Sequence, residues 1–396
     1  MNTDFLIREA DRCVKCGLCL PHCPTYLLAR DEAESPRGRI ALIQGWASGA
    51  LNADRPLLGH LDSCLLCRRC EGACPSEVHY AALLDAARES LPATVPRWLP
   101  DTLADRGWQS AALKLAAAAN RAGMRRWFPS ARVRRLLDVS KTIQQASPPL
   151  RVPLKERYAA VGTEQAEVAL FTGCMGEALD RTALEAAVAI LTASGVSVSI
   201  PPSQQCCGAI HAHAGYHRAA GKYRAANLAA FTGTGIEALL TVSSGCGSWL
   251  ADSAGLDVPV MDAAAFIQQR GGIGALPLAE VRRTIATFMP CSLAVMQQQK
   301  PVMTLLSDLP GAELLELEGM GCCGGAGLNL ITQPDSGEQL VKPLIEQLAA
   351  SKATVVATTN SGCALQLQQA AGRAGLGISV VHPLQLVSEQ LEKRHD

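Results

Sequence analysis

CVKCGLCLPHCP, residues 13–24, places four cysteines in eleven positions and closes on proline. CLLCRRCEGACP, residues 64–75, repeats the spacing. Each reads C-x2-C-x2-C-x3-C-P, the run of two-cluster bacterial ferredoxins. Thiolates at every third residue let one turning loop grip three irons of a cubane. The fourth cysteine stands one residue farther on, is followed by proline, and leaves that loop for the other cluster. The spacing therefore predicts two [4Fe–4S] sites, one held by Cys13, Cys16, Cys19 and Cys74, the other by Cys23, Cys64, Cys67 and Cys70. Structural zinc uses two separated pairs and tetrahedral closure. It needs neither three thiolates in seven residues nor a crossed fourth. Paired cubanes pass electrons singly and bind no organic substrate, so this end of the chain reads as a wire.

The composition sets the rest of the frame. A chain of 396 residues, 48% hydrophobic and 18% charged, is globular and long enough for two or three domains. Lys and Arg balance Asp and Glu at 36 each, so global charge points to no nucleic acid. Aromatics at 4% weaken a base-stacking role further. No apolar run reaches the ~18 residues of a spanning helix. The start, MNTDFLIREADR, lacks the apolar stretch of a secretory signal. The expectation is a cytoplasmic chain whose sixteen cysteines stay reduced and serve mainly as ligands.

The fold class expected is α/β, with a small α-helical two-[4Fe–4S] ferredoxin-type module followed by a duplicated α/β cysteine-rich domain. Residues 1–90 carry the ferredoxin-type module. Between its two runs, Ser35–Pro36 punctuates and RGRIALIQGW reads as a short helix, with Arg37 and Arg39 placed to pair with anionic clusters or to sit at a solvated helix start. Residues 91–160 read as a helical basic linker. Arg121, Arg125, Arg126, Arg132, Arg134, Arg135 and Lys141 face one acid, Asp138, with Trp127 and Phe128 among them. Such a segment suits a membrane surface or a partner, and equally a linker with solvated arginines. SPPLRVPLKER is the tether onward.

Self-similarity governs the remainder. VALFTGCMG, SQQCCGAIHAHAG, LLTVSSGCGSWL and VPVMDAAAF recur as IATFMPCSL, GMGCCGGAGLNL, VVATTNSGCALQL and ISVVHPLQL. Cys174, Cys206, Cys207 and Cys246 match Cys291, Cys322, Cys323 and Cys363 at offsets of 116 or 117. The repeats span 165–270 and 280–390. Apolar runs of strand length alternate with Ala- and Leu-rich stretches, which predicts parallel α/β layers. Ligands gather beyond the carboxyl ends of such strands. Cys174, Cys246, Cys291 and Cys363 each follow an apolar run, so eight thiols are expected at one crevice between the repeats.

Three readings fit those eight: a further iron–sulfur centre, zinc or a redox-active dithiol, and small buried core residues. Glycine after each adjacent pair lets backbone approach a bulky centre. His211 and His213 are candidate ligands in the first repeat alone, since Leu328 and Asn329 stand near the matching place in the second. Gly319-Met-Gly321-Cys-Cys-Gly324 matches G-x-G-x-x-G formally. Its variable positions hold the repeated cysteine pair, Asp335 and Glu338 come too early for a ribose acid, and no dinucleotide site is assigned.

The order of two ferredoxin runs, SPRGRI between them, a helical spacer and two Cys…Cys–Cys–Gly…Ser–Gly–Cys repeats resembles the iron–sulfur subunits of bacterial glycolate oxidase (glycolate dehydrogenase). The resemblance covers nearly the whole chain, with CVKCGLCLPHCPTY, CLLCRRCEGACPSEVHY, QQCCGAIHAHAG, SSGCG and GCCGGAG as its details. Subunits for lactate utilisation, anaerobic glycerol-3-phosphate oxidation and heterodisulfide reduction share the architecture and are the alternative. The resemblance implies an FAD-binding partner subunit that oxidises a 2-hydroxy acid, glycolate to glyoxylate. It implies no substrate site on this chain, and electrons passed to a quinone or other acceptor, with the chain at the inner face of the cell membrane. Heterodisulfide reductase-like members end each repeat in C-x-x-C. Here Cys246 is followed by Gly247, Ser248 and Trp249, and Cys363 by Ala364, Leu365 and Gln366. That departure argues against disulfide chemistry.

Overall fold

The computed structural model describes residues 3–128, 130–146, 153–176, 178–253 and 255–391, without the side chains of 125, 126, 131, 132, 145, 146 and 253. The first part of the tether, 147–152, and the side chains of Arg125, Arg126 and Arg132 lie outside the described residues.

Ser35 and Pro36 start the helix that separates the two cysteine loops. The Gly38 N–H donates to Ser35 Oγ at 2.9 Å, capping α1 (Pro36–Ala47). Proline at the first turn costs nothing there, because its missing N–H has no partner in any helix. α1 and α2 (Tyr80–Ser90) bury Ile40, Ile43, Leu83, Leu84 and Ala87 in a small core with Leu57 and Leu61. Cys64 and Cys70 belong to that core, while Cys13, Cys19 and Cys74 pack on its edge.

Three helices follow: α3 (Trp98–Ala104), α4 (Arg106–Arg121) and α5 (Ala131–Ala146). Asp105 caps α4, accepting from the Trp108 N–H at 2.9 Å. Gln144 Nε2 donates to Leu113 O at 2.8 Å and Asn120 Nδ2 to Leu137 O at 3.0 Å, which ties α4 to α5.

The apolar runs of the repeats become strands. β1 (Arg157–Tyr158), β2 (Ala166–Phe171), β3 (Val196–Ser199), β4 (Leu239–Thr241) and β5 (Val260–Asp262) form one sheet in the order β1-β3-β2-β4-β5. β6 (Arg283–Thr287), β7 (Ala312–Glu316), β8 (Val355–Ala357) and β9 (Ser379–Val381) form a second, in the order β7-β6-β8-β9. Every pairing is parallel except β1 on β3. Without β1 the two orders are the same, as a duplication requires. Helices cover both faces, so Val168, Ala169 and Leu170 are all buried despite alternating direction.

The repeats do not form separate cores. Val168, Leu170 and Leu240 of the first sheet share one cluster with Ile285 and Val355 of the second. α6 (Arg181–Ala193) of the first repeat packs against α9 (Pro383–Gln390) at the end of the second; between them in the chain come α7 (Ser244–Ser253) and α8 (Ser361–Arg373).

Candidate metal centres

Cys13, Cys16 and Cys19 from the first loop and Cys74 from the second line one cavity of about 30 Å³, with Gly17, Arg37 and Ile40 and with Cys70 at its edge toward the second site. The crossed fourth thiol is thus brought to the first loop's three. Cys23 is close enough to Cys64, Cys67 and Cys70 for its charge to act on Cys67 and Cys70. The two loops turn alike. Lys15 (φ 57°) and Gly17 (φ 86°) in the first match Leu66 (φ 49°) and Arg68 (φ 57°) in the second. Three of these four are not glycine, and left-handed backbone there costs on the order of 1 kcal/mol each. The left-handed turns bend each loop and turn N–H groups toward sulfur. Leu66 N–H lies 3.5 Å from Cys64 Sγ, the Arg37 and Arg69 N–H groups serve Cys19 and Cys67, and Tyr80 O–H donates to Cys64 Sγ at 3.5 Å.

Burial pushes the Cys19, Cys67 and Cys70 thiols up, and neighbouring sulfurs push them further. Four sulfurs so placed ionise together only around a multivalent cation. The donor set, the turned loops and the inward N–H groups therefore fit two iron–sulfur groups. Among the described residues no three His, Cys, Asp or Glu side chains are grouped to hold a single metal ion.

The two arginines of α1 take different places. Arg37 pairs with Glu32 at 2.6 Å and donates to Lys15 O at 3.0 Å, so it braces the first loop through backbone. Arg39 is buried behind the second site. It donates to His60 O, Thr25 Oγ1, Glu34 O, Glu34 Oε2 and Ser63 Oγ at 2.6–3.0 Å. Burial alone would lower its guanidinium. Tyr80, Cys64, Glu34 and Cys23 together hold it above its ordinary value.

All eight cysteines of the repeats line a second cavity, of about 650 Å³, beyond the carboxyl ends of β2, β4, β6 and β8. They stand as two rows. Cys174, Cys206, Cys207 and Cys246 are linked thiol to thiol in that order, and so are Cys291, Cys322, Cys323 and Cys363. Cys323 Sγ is 3.0 Å from Cys363 Sγ. In the first row the Cys174 and Cys207 thiols donate to Cys206 and hold it well below its ordinary value, helped by the Gly208 N–H and by His211. In the second row hydrogen bonds run both ways and burial tips all four thiols upward. Glycine after the pair is required at Gly324 (φ 78°), where a Cβ would stand 2.5 Å from Gly337 Cα.

The rows meet where α7 and α8 begin. Ser244 N–H donates to Thr359 O at 2.7 Å, and Ser361 Oγ to Ser243 Oγ at 2.9 Å. Ser361 also lies 2.7 Å from Asp180 Oδ2, a cavity-lining carboxyl that burial raises to about 6. Thr241 Oγ1 and Asn329 Nδ2, buried atoms of two cavity-lining residues, have no hydrogen-bond partner among the described residues.

The ferredoxin-type module closes one side of this cavity with Cys64, Leu65 and Leu66. Cys291 bears on the Cys67 thiol and Cys67 on that of Cys322, while Leu65 packs on Cys322 and Leu340. Arg68 pairs with Asp252, and Arg88 Nη1 donates to His213 O at 3.1 Å. His213 also lines the cavity, with Nδ1 3.3 Å from Asp85; buried His211 faces Asp101 at 3.0 Å. Each ring nitrogen named is thus engaged by a carboxylate.

Residues 91–160, which read as a helical basic linker, are helical and also build the site: Leu99 and Leu103 of α3 and Val133, Leu136, Val139 and Ile143 of α5 wall the cavity. The spacing of the last four is helical and was the available signal. Arg135 is not a solvated charge. It is buried and donates to Gln366 Oε1 at 2.6 Å and to Leu330 O at 3.2 Å. Gln366 occupies the place of the absent fifth cysteine in the second repeat. Its amide is committed to Arg135 and to Gly337 O at 2.8 Å.

A model of the 4Fe-4S dicluster domain matches residues 9–78, and one of a cysteine-rich domain matches 168–251 and 285–368. The chain is 31% identical to the probable glycolate oxidase iron–sulfur subunit of Bacillus subtilis (strain 168), over 96% of this chain and 94% of that protein. It is 30% identical to the glycolate oxidase iron–sulfur subunit of Escherichia coli (strain K12), over 99% and 96%. Lactate utilization protein A of Bacillus subtilis (strain 168) is 24% identical over 58% of this chain and 100% of its own length.

Proposed function

The chain belongs to the family of glycolate oxidase iron–sulfur subunits, and from that premise we propose that it takes electrons from FAD on a partner subunit and hands them to a quinone. It is the iron–sulfur subunit of an oxidoreductase complex. Cys13, Cys16, Cys19 and Cys74 would hold one [4Fe–4S] group, and Cys23, Cys64, Cys67 and Cys70 the other. When bound, these groups supply one-electron steps at potentials set by hydrogen bonds and solvent access. The observation that carries the reading is the single small cavity at which Cys74 joins Cys13, Cys16 and Cys19 across the sequence.

The surroundings support a direction. Val14 and Leu18 flank Cys16 and are 68% and 56% exposed, an apolar rim suited to a partner subunit at the first site. The second site is shut in between Arg39 and the repeats, and Cys67 faces the thiol rows. The rows are read as the ligands of a further iron–sulfur centre. Four thiols in a line suit several bridged irons better than one ion, which needs donors converging at about 2.3 Å. Among the described residues no helix is long and apolar enough to cross a membrane, so work at the inner face of the cell membrane would be peripheral. Heterodisulfide chemistry gains no support, because Gln366 is bound into the structure where a fifth cysteine would be needed.

Anaerobic purification with its partners, followed by iron and sulfide analysis and paramagnetic resonance, tests this. At least about eight irons per chain are expected, with any excess lost in Cys323→Ser. Zinc in place of that excess would replace only the reading of the rows. Fully loaded protein with about four irons or fewer would overturn the two-site assignment.

A further inference from the structure

α4 has one face that the other described residues do not cover. Trp108, Ala111, Ala112, Leu115, Ala118 and Ala122 recur every three or four residues and are all exposed. Trp108 is 69% exposed and Leu115 73%. The stripe continues into Met124 and Trp127, 43% and 74% exposed, and is joined by Trp98 on α3 at 61%. A large apolar side chain left in water forfeits burial, and five along one side exceed the isolated exposures normal for a surface.

Charge accompanies the stripe. From Arg106 to Trp127 the sequence has Arg106, Lys114, Arg121, Arg125 and Arg126 and no acid. Lys114 and Arg121 are exposed and flank the apolar stripe, whereas Arg106 turns to the inward side and donates to Thr172 Oγ1 and Gly173 O at 3.0 Å each. The opposite, inward face is fixed. Gln109 is buried and donates to Leu103 O, while Leu113 and Asn120 are tied to α5. The helix cannot roll to hide its tryptophan and leucine without breaking those bonds.

We propose that this outer face of α4, about 24 Å long, lies on an anionic lipid surface, with Trp108 and Leu115 in the headgroup boundary and Lys114 and Arg121 against lipid phosphate. An apolar stripe bearing tryptophan, with Lys114 and Arg121 along its flank and the exposed acid Asp105 held at the N-terminus as the cap, is the chemistry of an interfacial helix. The inner neighbours of α4 wall the thiol cavity, so docking sets that cavity beside the bilayer. The proposal rests on the membrane-side reading above only for its choice of partner. Vesicle binding needs neither hydroxy acid nor acceptor, so its failure leaves electron transfer untouched.

The test is co-sedimentation of the cluster-loaded full chain with vesicles of phosphatidylcholine alone and of phosphatidylcholine with phosphatidylglycerol. Binding to the anionic vesicles only, weakened by salt, is expected. Leu115→Glu should lower it about tenfold or more, and Arg121→Gln or Lys114→Gln about fivefold each. Ala111→Asp serves as a second probe, and unchanged visible absorption of the iron–sulfur groups shows that each variant is folded. Failure to bind anionic vesicles, or binding indifferent to both acidic substitutions, overturns the proposal. So does a Leu115→Glu protein that keeps the vesicles and loses its co-purifying flavoprotein, for the stripe is then a protein interface.

Discussion

The two tetracysteine loops have the same spacing, the same left-handed positions and the same following proline, yet they live in different surroundings. In the first, Cys16 is exposed, Val14 and Leu18 project into solvent, and Arg37 braces the loop from outside. In the second, Cys64 and Cys70 are core residues, Arg39 is sealed behind them, and Cys67 meets the second repeat. One motif has been placed once at a surface and once at an internal junction. The difference teaches that spacing decides what a loop can hold, while burial decides whom it can serve.

The sharpest way to break this contrast is to remove one ligand from each loop. Cys16→Ser and Cys64→Ser should each cost about four irons per chain and abolish reduction of the acceptor, while hydroxy acid still reduces the partner's flavin. Only Cys64→Ser should also loosen the fold, seen as a lowered unfolding midpoint. Equal midpoints would erase the distinction between the loops. The arginines give the next largest effect. Arg39→Met takes the buried guanidinium from the Glu34 carboxylate, which keeps only His60 and Ser63, and is expected to cost about 3 kcal/mol in chemical unfolding. Arg37→Ala, at a half-exposed pair, should cost under about 1 kcal/mol.

Substituting the exposed rim should act on partnership alone. Leu18→Asp is expected to weaken capture of the flavoprotein subunit about tenfold in a binding titration, with iron content unchanged. A loss of iron instead would mean that the rim is part of the site. The last effect belongs to the buried side. Asp180 is held neutral up to about 6, above the ordinary carboxyl value of 3.8. The folded chain therefore binds a proton there that the unfolded chain has released, and this contribution to stability fades as pH rises through about 6. Asp180→Asn should stabilise the protein by about 1–2 kcal/mol at pH 7 and by nothing measurable below about pH 4. A variant with an unaltered pH profile of unfolding would remove Asp180 from the cavity's electrostatics.

Much of this was legible in advance, for definite reasons. The gathering of Cys74 with Cys13, Cys16 and Cys19 at one cavity is what period and offset called for, because a cubane needs three thiols from one loop and a crossed fourth. The strands at VALF and TIATF follow from apolar runs too short for helices. The duplicated strand order follows from cysteines in register. Arg135 escaped, because a charge in a basic stretch looks solvated until Gln366, more than two hundred residues away, supplies its acceptor. The role of α5 escaped with it, for an amphipathic stripe says that something covers it and not what. The packing of Leu65 on Cys322 and Leu340 of the second repeat left no local trace at all.

By itself, then, the sequence determined which thiols group together and which segments are helix or strand, since those depend on spacing along one chain. Tertiary structure alone decided that one cysteine loop is shut in and the other open, and that α4 keeps its tryptophan in solvent. Such properties depend on distances between residues far apart in the chain, and those are fixed only when cores from separate segments close on each other.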